Sequence, residues 1–166
     1  TGSVMRIYNN ESNGIFTASG VSLPGYMKSS GAWADFDKDG DLDILANKEI
    51  SCTEYDIVVF ENKSGVFVPN EFITLAGSNH DYLNFTGDME WGDYDNDGYP
   101  DIIVAGQNSC GNGSSINHIY RNQRNRTFAP AFQLAGLVYD VNVDWGDYDN
   151  DGDLDVFAYG DPFSGY

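Results

Sequence analysis

Asp35-Phe36-Asp37-Lys38-Asp39-Gly40-Asp41-Leu42-Asp43, Asp93-Tyr94-Asp95-Asn96-Asp97-Gly98-Tyr99-Pro100-Asp101 and Asp147-Tyr148-Asp149-Asn150-Asp151-Gly152-Asp153-Leu154-Asp155 are three copies of one pattern, D-x-D-x-D-G-x-x-D. Their first residues, Asp35, Asp93 and Asp147, stand 58 and 54 positions apart. At least four carboxylates within nine residues repel one another unless a hard cation lies between them. Ca2+ accepts about six to eight oxygens in tolerant geometry, whereas Mg2+ demands a near-ideal octahedron and keeps its waters. The first, third and fifth positions can aim carboxylates into one hollow, and the ninth can bind through both oxygens. The seventh varies in type (Asp41, Tyr99, Asp153) and would offer its backbone carbonyl. Gly40, Gly98 and Gly152 sit where the chain must turn sharply, and a positive φ is expected there because glycine bears it without steric strain.

An EF-hand shares the opening D-x-D-x-D-G but needs Glu at position 12. Ala46, Val104 and Ala158 stand there instead. Ile44-Leu45, Ile102-Ile103-Val104 and Val156-Phe157 follow the loops, short β-favouring runs rather than the start of a helix. The loops are therefore turns between strands.

Composition bounds the partners. A net charge of −18 and a pI near 4.1 argue against nucleic acid or an anionic membrane. Fourteen of the 26 acidic residues lie in the three loops, so the acidity belongs to the candidate metal sites rather than to a disordered tail. Aromatic residues at 14% and apolar residues at 41% support a packed core. No apolar run approaches the length of a membrane-spanning helix. Thr1-Gly2-Ser3-Val4-Met5 leads straight into strand-like sequence, as expected of a mature or excised portion of a secreted protein.

The loops belong to longer repeats. Trp33, Trp91 and Trp145 each stand two residues before a loop. Tyr8-Asn9-Asn10…Phe16, Phe60-Glu61-Asn62…Phe67 and Tyr120-Arg121-Asn122…Phe128 form a second recurring element. Leu23-Pro24-Gly25, Leu75-Ala76-Gly77 and Leu134-Ala135-Gly136 form a third. Each unit reads as strand A ending at Trp, an acidic loop, strand B, a longer loop, strand C, an Asn/Gly hairpin and strand D. Four short antiparallel strands in this length are the dimensions of a β-propeller blade.

The W-G-D-Y-D-N-D-G-x-x-D signature with its downstream aromatic-R-N…F element resembles the FG-GAP/VCBS-type repeats of integrin α-chain propellers and secreted bacterial proteins. The resemblance implies an all-β fold of propeller-type blades with calcium bound between strands A and B. Carried over by position, the implied ligands are Asp35, Asp37, Asp39, Asp41 (carbonyl) and Asp43. The second set is Asp93, Asp95, Asp97, Tyr99 (carbonyl) and Asp101, and the third is Asp147, Asp149, Asp151, Asp153 (carbonyl) and Asp155. The Gly-Ala-Pro element of the integrin repeat is absent, which favours the VCBS-like branch and weakens an inference of integrin-type ligand binding.

Counting strands gives a half blade over 4–20 (C–D), blades over 28–77 and 86–136, and a half blade over 141–160 (A–B). These make about three blade equivalents, fewer than the four to eight of closed propellers. Three arrangements satisfy the count: part of a larger propeller, a protomer whose ends complete those of other copies in a ring or filament, or an open arc.

Cys52 and Cys110 fall at matching positions after strand B, and a secreted setting favours their pairing if the blades bring them close enough. Sequons at Asn10, Asn62, Asn84, Asn112 and Asn125 are candidate glycosylation sites, although Asn and Ser are also hairpin residues. No nucleophile, phosphate-binding or zinc motif occurs, and His80 and His118 belong to none. Carboxylates outside the loops (Glu49, Glu54, Asp56, Glu71, Asp81, Glu90, Asp140) read as solvated charge rather than a glycosidase pair. The reading is a non-catalytic extracellular calcium-binding module for adhesion or protein–protein interaction, with head-to-tail self-association as one way of completing its blades. The alternative is a carbohydrate-binding propeller or an accessory part of a polysaccharide-degrading enzyme, using tyrosines such as Tyr26, Tyr55, Tyr82 and Tyr139.

Overall fold

A computed structural model describes residues 4–24, 30–51, 54–70, 85–108, 115–135 and 139–161 of the chain. Twelve strands lie among them: β1 (Val4–Asn10), β2 (Phe16–Pro24), β3 (Gly31–Ala34), β4 (Asp43–Ser51), β5 (Glu54–Lys63) and β6 (Val66–Asn70), then β7 (Phe85–Gly92), β8 (Asp101–Asn108), β9 (Ser115–Asn122), β10 (Phe128–Gln133), β11 (Tyr139–Gly146) and β12 (Asp155–Asp161). All pairings are antiparallel. They form a β1-β2 sheet, a β3-β4-β5-β6 sheet, a β7-β8-β9-β10 sheet and a β11-β12 sheet. The described residues contain no helix and no closed barrel. The expected all-β, blade-like antiparallel architecture is what forms.

The sheets stack in chain order, with an apolar layer between each pair. Leu23 with Met5, Ile7 and Val21 of the first sheet packs on Ile44, Ala46, Val58 and Phe60 of the second. Leu45, Val59 and Phe36 meet Met89, Ile102, Val104, Tyr120 and Phe128 of the third. Ile103, Ala105 and Ile119 then meet Val141 and Val143 of the fourth. Because successive side chains alternate across a strand, Ile44 and Ala46 face one way and Leu45 the other. A strand covered on both faces therefore reads as a continuous apolar run, which is why β4, β5 and β8 lack polar alternation.

The first strands of successive sheets lie side by side, β7 against β3 and against β11. Trp91 bridges one such junction: it stacks near Phe36, lies tilted against Phe128 and donates its indole N–H to the Ala32 carbonyl at 3.3 Å. Trp145 lies over Gly92, where a Cβ would come within 2.6 Å of its indole nitrogen. The Gly after Trp91 is thus the floor on which the next sheet's Trp rests.

Cys52, Cys110, Asn84, Asn112, His80, Glu71, Asp81, Tyr26 and Tyr82 lie outside the described residues.

Candidate metal centres

Each acidic loop joins the first two strands of a sheet: β3 to β4, β7 to β8 and β11 to β12. The turn is made by two left-handed residues. The glycines at position 6 have φ of 96° (Gly40), 88° (Gly98) and 96° (Gly152), as expected. Position 4 is left-handed too, with φ of 65° at Lys38, 55° at Asn96 and 61° at Asn150. Asn tolerates this conformation, so its recurrence at Asn96 and Asn150 was a legible signal that the glycine overshadowed.

The first carboxylate organises the loop. Asp93 accepts the backbone N–H groups of Asp97 and Gly98 at 2.9 and 2.8 Å, and Asp147 accepts those of Asp151 and Gly152, both at 3.1 Å. Asp35 accepts Gly40 N–H at 3.1 Å. Position 5 accepts the N–H of position 7 in all three loops, from Asp41 at 3.0 Å, Tyr99 at 3.0 Å and Asp153 at 2.9 Å. These bonds fold the chain around a hollow and leave the other oxygens converging.

Asp35, Asp37 and Asp39 bring one oxygen each within 4.8 Å of the others. So do Asp93, Asp95 and Asp101, and Asp147, Asp149 and Asp155. Asp35 Oδ1, Asp37 Oδ1 and Asp95 Oδ1 are shut off from solvent and receive no hydrogen bond. An anionic oxygen so placed is strongly disfavoured unless a cation takes the place of the lost hydration. These donor sets are all hard oxygen, and they fit a divalent metal ion of that preference.

The ninth position does structural work as well. Asp43 is buried and accepts Phe36 N–H at 3.1 Å and, from the third strand, Asn62 N–H at 2.8 Å. Asp101 is buried likewise and accepts Tyr94 N–H at 3.3 Å and Asn122 N–H at 2.7 Å. Each Asn reciprocates through its side-chain amide, Asn62 to the Leu42 carbonyl at 3.1 Å and Asn122 to that of Pro100 at 3.0 Å. Asn122 also donates across the sheet junction to the Phe36 carbonyl at 3.0 Å. The recurring Asn of the aromatic-x-Asn element is therefore the strap between an acidic loop and its sheet's third strand.

Asp41 and Asp153 turn their side chains elsewhere: Asp41 accepts Ser64 N–H and Asp153 accepts the Asn96 amide, both at 2.8 Å. Asp97 lies against arginines, 3.0 Å from Arg121 and 2.7 Å from Arg124. Arg121 also meets Asp95 at 2.6 Å, while Arg124 lies 5.0 Å from the Tyr99 ring centre. Arg126 reaches across to the preceding sheet, 3.1 Å from Asp37 and 2.7 Å from Glu61. Arg121 belongs to the recurring aromatic-R-N element, but Arg124 and Arg126 do not stand out from sequence, and Asp37 lies 89 residues from Arg126.

Of the sequon residues in the described chain, Asn10 and Asn125 are exposed, and each accepts a backbone N–H two residues on, from Ser12 and Thr127. Asn62 has its amide nitrogen engaged as described. Glu90 is held above the usual carboxylate range by burial and by neighbouring Asp88 and Asp144. Burial keeps the His118 ring below its usual pKa.

Electrostatics link the sites to pH. Burial, opposed by the two backbone donors, pushes Asp43 and Asp101 up to about 6 from 3.8. Burial and the charge of Asp39 raise Asp37. A folded-state pKa above the unfolded one means that the native protein binds more protons between the two values, so stability falls as pH rises through that window. In excess chelator, the melting temperature should therefore rise by a few degrees, roughly, as pH is lowered from 7.5 to 5. Were Ca2+ to occupy these oxygens, saturating metal should reverse the trend, because metal and protons would compete for them. Thermal melts at the two pH values, with and without chelator, check both signs.

Stacked antiparallel sheets with an acidic turn opening successive sheets define a propeller-type repeat protein. Residues 93–158, from the second acidic loop through the third, match the family model of the FG-GAP-like repeat, which supports an FG-GAP-type repeat family for the chain. A search of curated proteins finds no significant match.

Proposed function

We propose that the chain is a non-catalytic extracellular interaction module whose three acidic loops each bind a structural Ca2+. The observation that carries this reading is the set of solvent-excluded, unpartnered carboxylate oxygens of Asp35, Asp37 and Asp95 inside the first two oxygen clusters. FG-GAP repeats often bind calcium and occur mostly in extracellular or cell-surface proteins, in keeping with it. The residues that would hold the ion are those at positions 1, 3, 5 and 9 of each loop, with the carbonyls of Asp41, Tyr99 and Asp153. Bound there, the ion neutralises carboxylates that otherwise repel and locks each first strand to the second. Protein–protein interaction is the use to which such repeats point, and head-to-tail association of copies is part of this reading.

Calorimetric titration of chelator-treated protein is expected to show about three Ca2+ per chain, with Kd on the order of 10⁻⁴–10⁻³ M as in other extracellular modules. Mg2+ should bind more weakly. The double substitution Asp35→Asn, Asp37→Asn should remove one equivalent. Absence of calcium heat from folded protein would sink the reading.

A glycan-binding alternative draws on one feature, a cleft of about 280 Å³ between the first two loops, lined by Asp37, Tyr99, Asn122, Arg124 and Arg126 among others. Its polar lining could hydrogen-bond hydroxyls. Arg124 lies near the Tyr99 ring, however, and competes for the face on which a sugar would stack.

A further inference from the structure

In the first two acidic loops the carboxylate at position 3 is divided between two uses. Asp37 accepts a guanidinium N–H of Arg126 on Oδ2 at 3.1 Å, and Oδ2 of Asp95 meets Arg121 Nε at 2.6 Å. The remaining oxygen of each, Oδ1, is shut off from solvent and has no donor. Both residues belong to clusters in which one oxygen from each member converges on the others. A guanidinium on one oxygen fixes the rotation of the carboxylate and leaves the second oxygen to the hollow. Asp149, their counterpart in the third loop, is exposed and has no basic partner among the ion pairs of the described residues.

The two arginines come from different places. Arg121 lies on β9, the third strand of the sheet whose own loop holds Asp95. The second sheet has Glu61 at the matching point of Phe60-Glu61-Asn62, and a carboxylate cannot hold Asp37. Arg126 supplies the cation from the next sheet, out of the hairpin between β9 and β10. Its Nη2 lies 3.1 Å from Asp37 and 2.7 Å from Glu61. The side chains of Asp37 and Glu61 are only 14% and 6% exposed, which sets this contact apart from a solvent-screened surface pair.

The backbone under Arg126 points the same way. The β1–β2 and β9–β10 hairpins share one geometry: Glu11 N–H donates to the Ile15 carbonyl and Gln123 N–H to that of Thr127, both at 2.9 Å. Asn10 and Asn122 each accept the N–H two residues on. Gly14 takes the left-handed position of the first hairpin with φ of 80°, and Arg126 takes it in the other with φ of 68°. Glycine bears that conformation without strain and an L side chain does not. The turn gains nothing from arginine there. What the residue adds is a guanidinium delivered to the neighbouring sheet.

We propose that Arg126 is a positioning residue of the first metal centre, holding Asp37 by one oxygen so that the other faces the ion, as Arg121 does for Asp95 in the second. This rests on the calcium reading above and adds to it the source of the first site's order. The first loop belongs to the second sheet, yet one of its ligands is set by the third. Seating of the β9–β10 hairpin and occupancy of the first site are therefore coupled. Glu61 holds the other side of the guanidinium and offsets its charge, so that Arg126 orients Asp37 without adding a net positive charge beside the ion.

The test is calorimetric titration of chelator-treated full-length protein with Ca2+. Arg126→Gly places in the hairpin the residue that Gly14 provides in the first, and combining it with Glu61→Gln keeps the net charge at −18. This charge-balanced pair should stay folded in chelator, as melting curves would confirm. It should weaken one of three calcium equivalents about tenfold, the low end of what loss of a ligand's supporting partner costs, and leave the other two unchanged. Glu61→Gln alone leaves Arg126 on Asp37 and should keep the affinity of all three. Unchanged or tighter binding in the folded pair would overturn the positioning role while leaving the calcium reading intact. Equal weakening of all three equivalents, a pair that no longer folds in chelator, or a tenfold loss already in Glu61→Gln would also overturn it, by assigning the effect to general stability or to Glu61. A wild type that gives no calcium heat overturns the calcium reading itself, and this role with it.

Discussion

Excess chelator is expected to lower the melting temperature on the order of 10 °C relative to protein in 10 mM Ca2+. At a Kd on the order of 10⁻⁴–10⁻³ M, such a concentration stabilises each site by roughly 1.4–2.7 kcal/mol, if the unfolded chain does not bind. In a chain of this size each kcal/mol moves the midpoint about 2–4 °C. The cause lies in Asp35, Asp37 and Asp95, whose enclosed oxygens have no donor of their own. Differential scanning calorimetry with and without chelator measures the shift, and an unchanged midpoint would contradict structural calcium. The second loop should lose least, because Arg121 and Arg124 already neutralise Asp95 and Asp97. The third loop has no basic side chain against it among the ion pairs of the described residues.

Phe128→Ala is expected to cost about 3–5 kcal/mol, the range for a large aromatic removed from a packed core. Phe128 is buried between the two four-stranded sheets, its ring centre 6.5 Å from that of Phe36 and 6.0 Å from that of Trp91. Neither sheet can collapse into the space, because each is held by its own hydrogen-bond ladder. Phe16 occupies the same place in the repeat but is exposed. Phe16→Ala should therefore change the stability of the chain by no more than about 0.5 kcal/mol. Chemical denaturation of the two variants at low protein concentration checks the contrast. Equal effects would show that burial does not follow position in the stack.

The loops were legible because their chemistry is local. Repulsion among carboxylates at alternate positions, a glycine at the turn and the apolar run after it all lie within about a dozen residues. The repeat spacing then gave the strand order, and the strands fall accordingly. Arg126 was not legible: its carboxylates, Asp37 and Glu61, belong to a different sheet, and nothing near it in sequence sets it apart from a solvated hairpin charge. The strap formed by Asn62 and Asn122 was half legible. Its recurrence was plain, but its partners were not, since a hairpin Asn is unremarkable until the chain returns alongside the acidic loop.

By itself the sequence determined the all-β architecture, the rejection of an EF-hand and the positions of three oxygen-rich turns, because period, turn residues and charge repulsion act over short stretches. Only the tertiary structure decided which carboxylates converge, which are tied instead to backbone and arginine, and which apolar residues lie buried. Those depend on how sheets stack. Leu45, Ile103 and Phe157 hold equivalent places in the repeat, and among the described residues the buried pair has a following sheet packed on it.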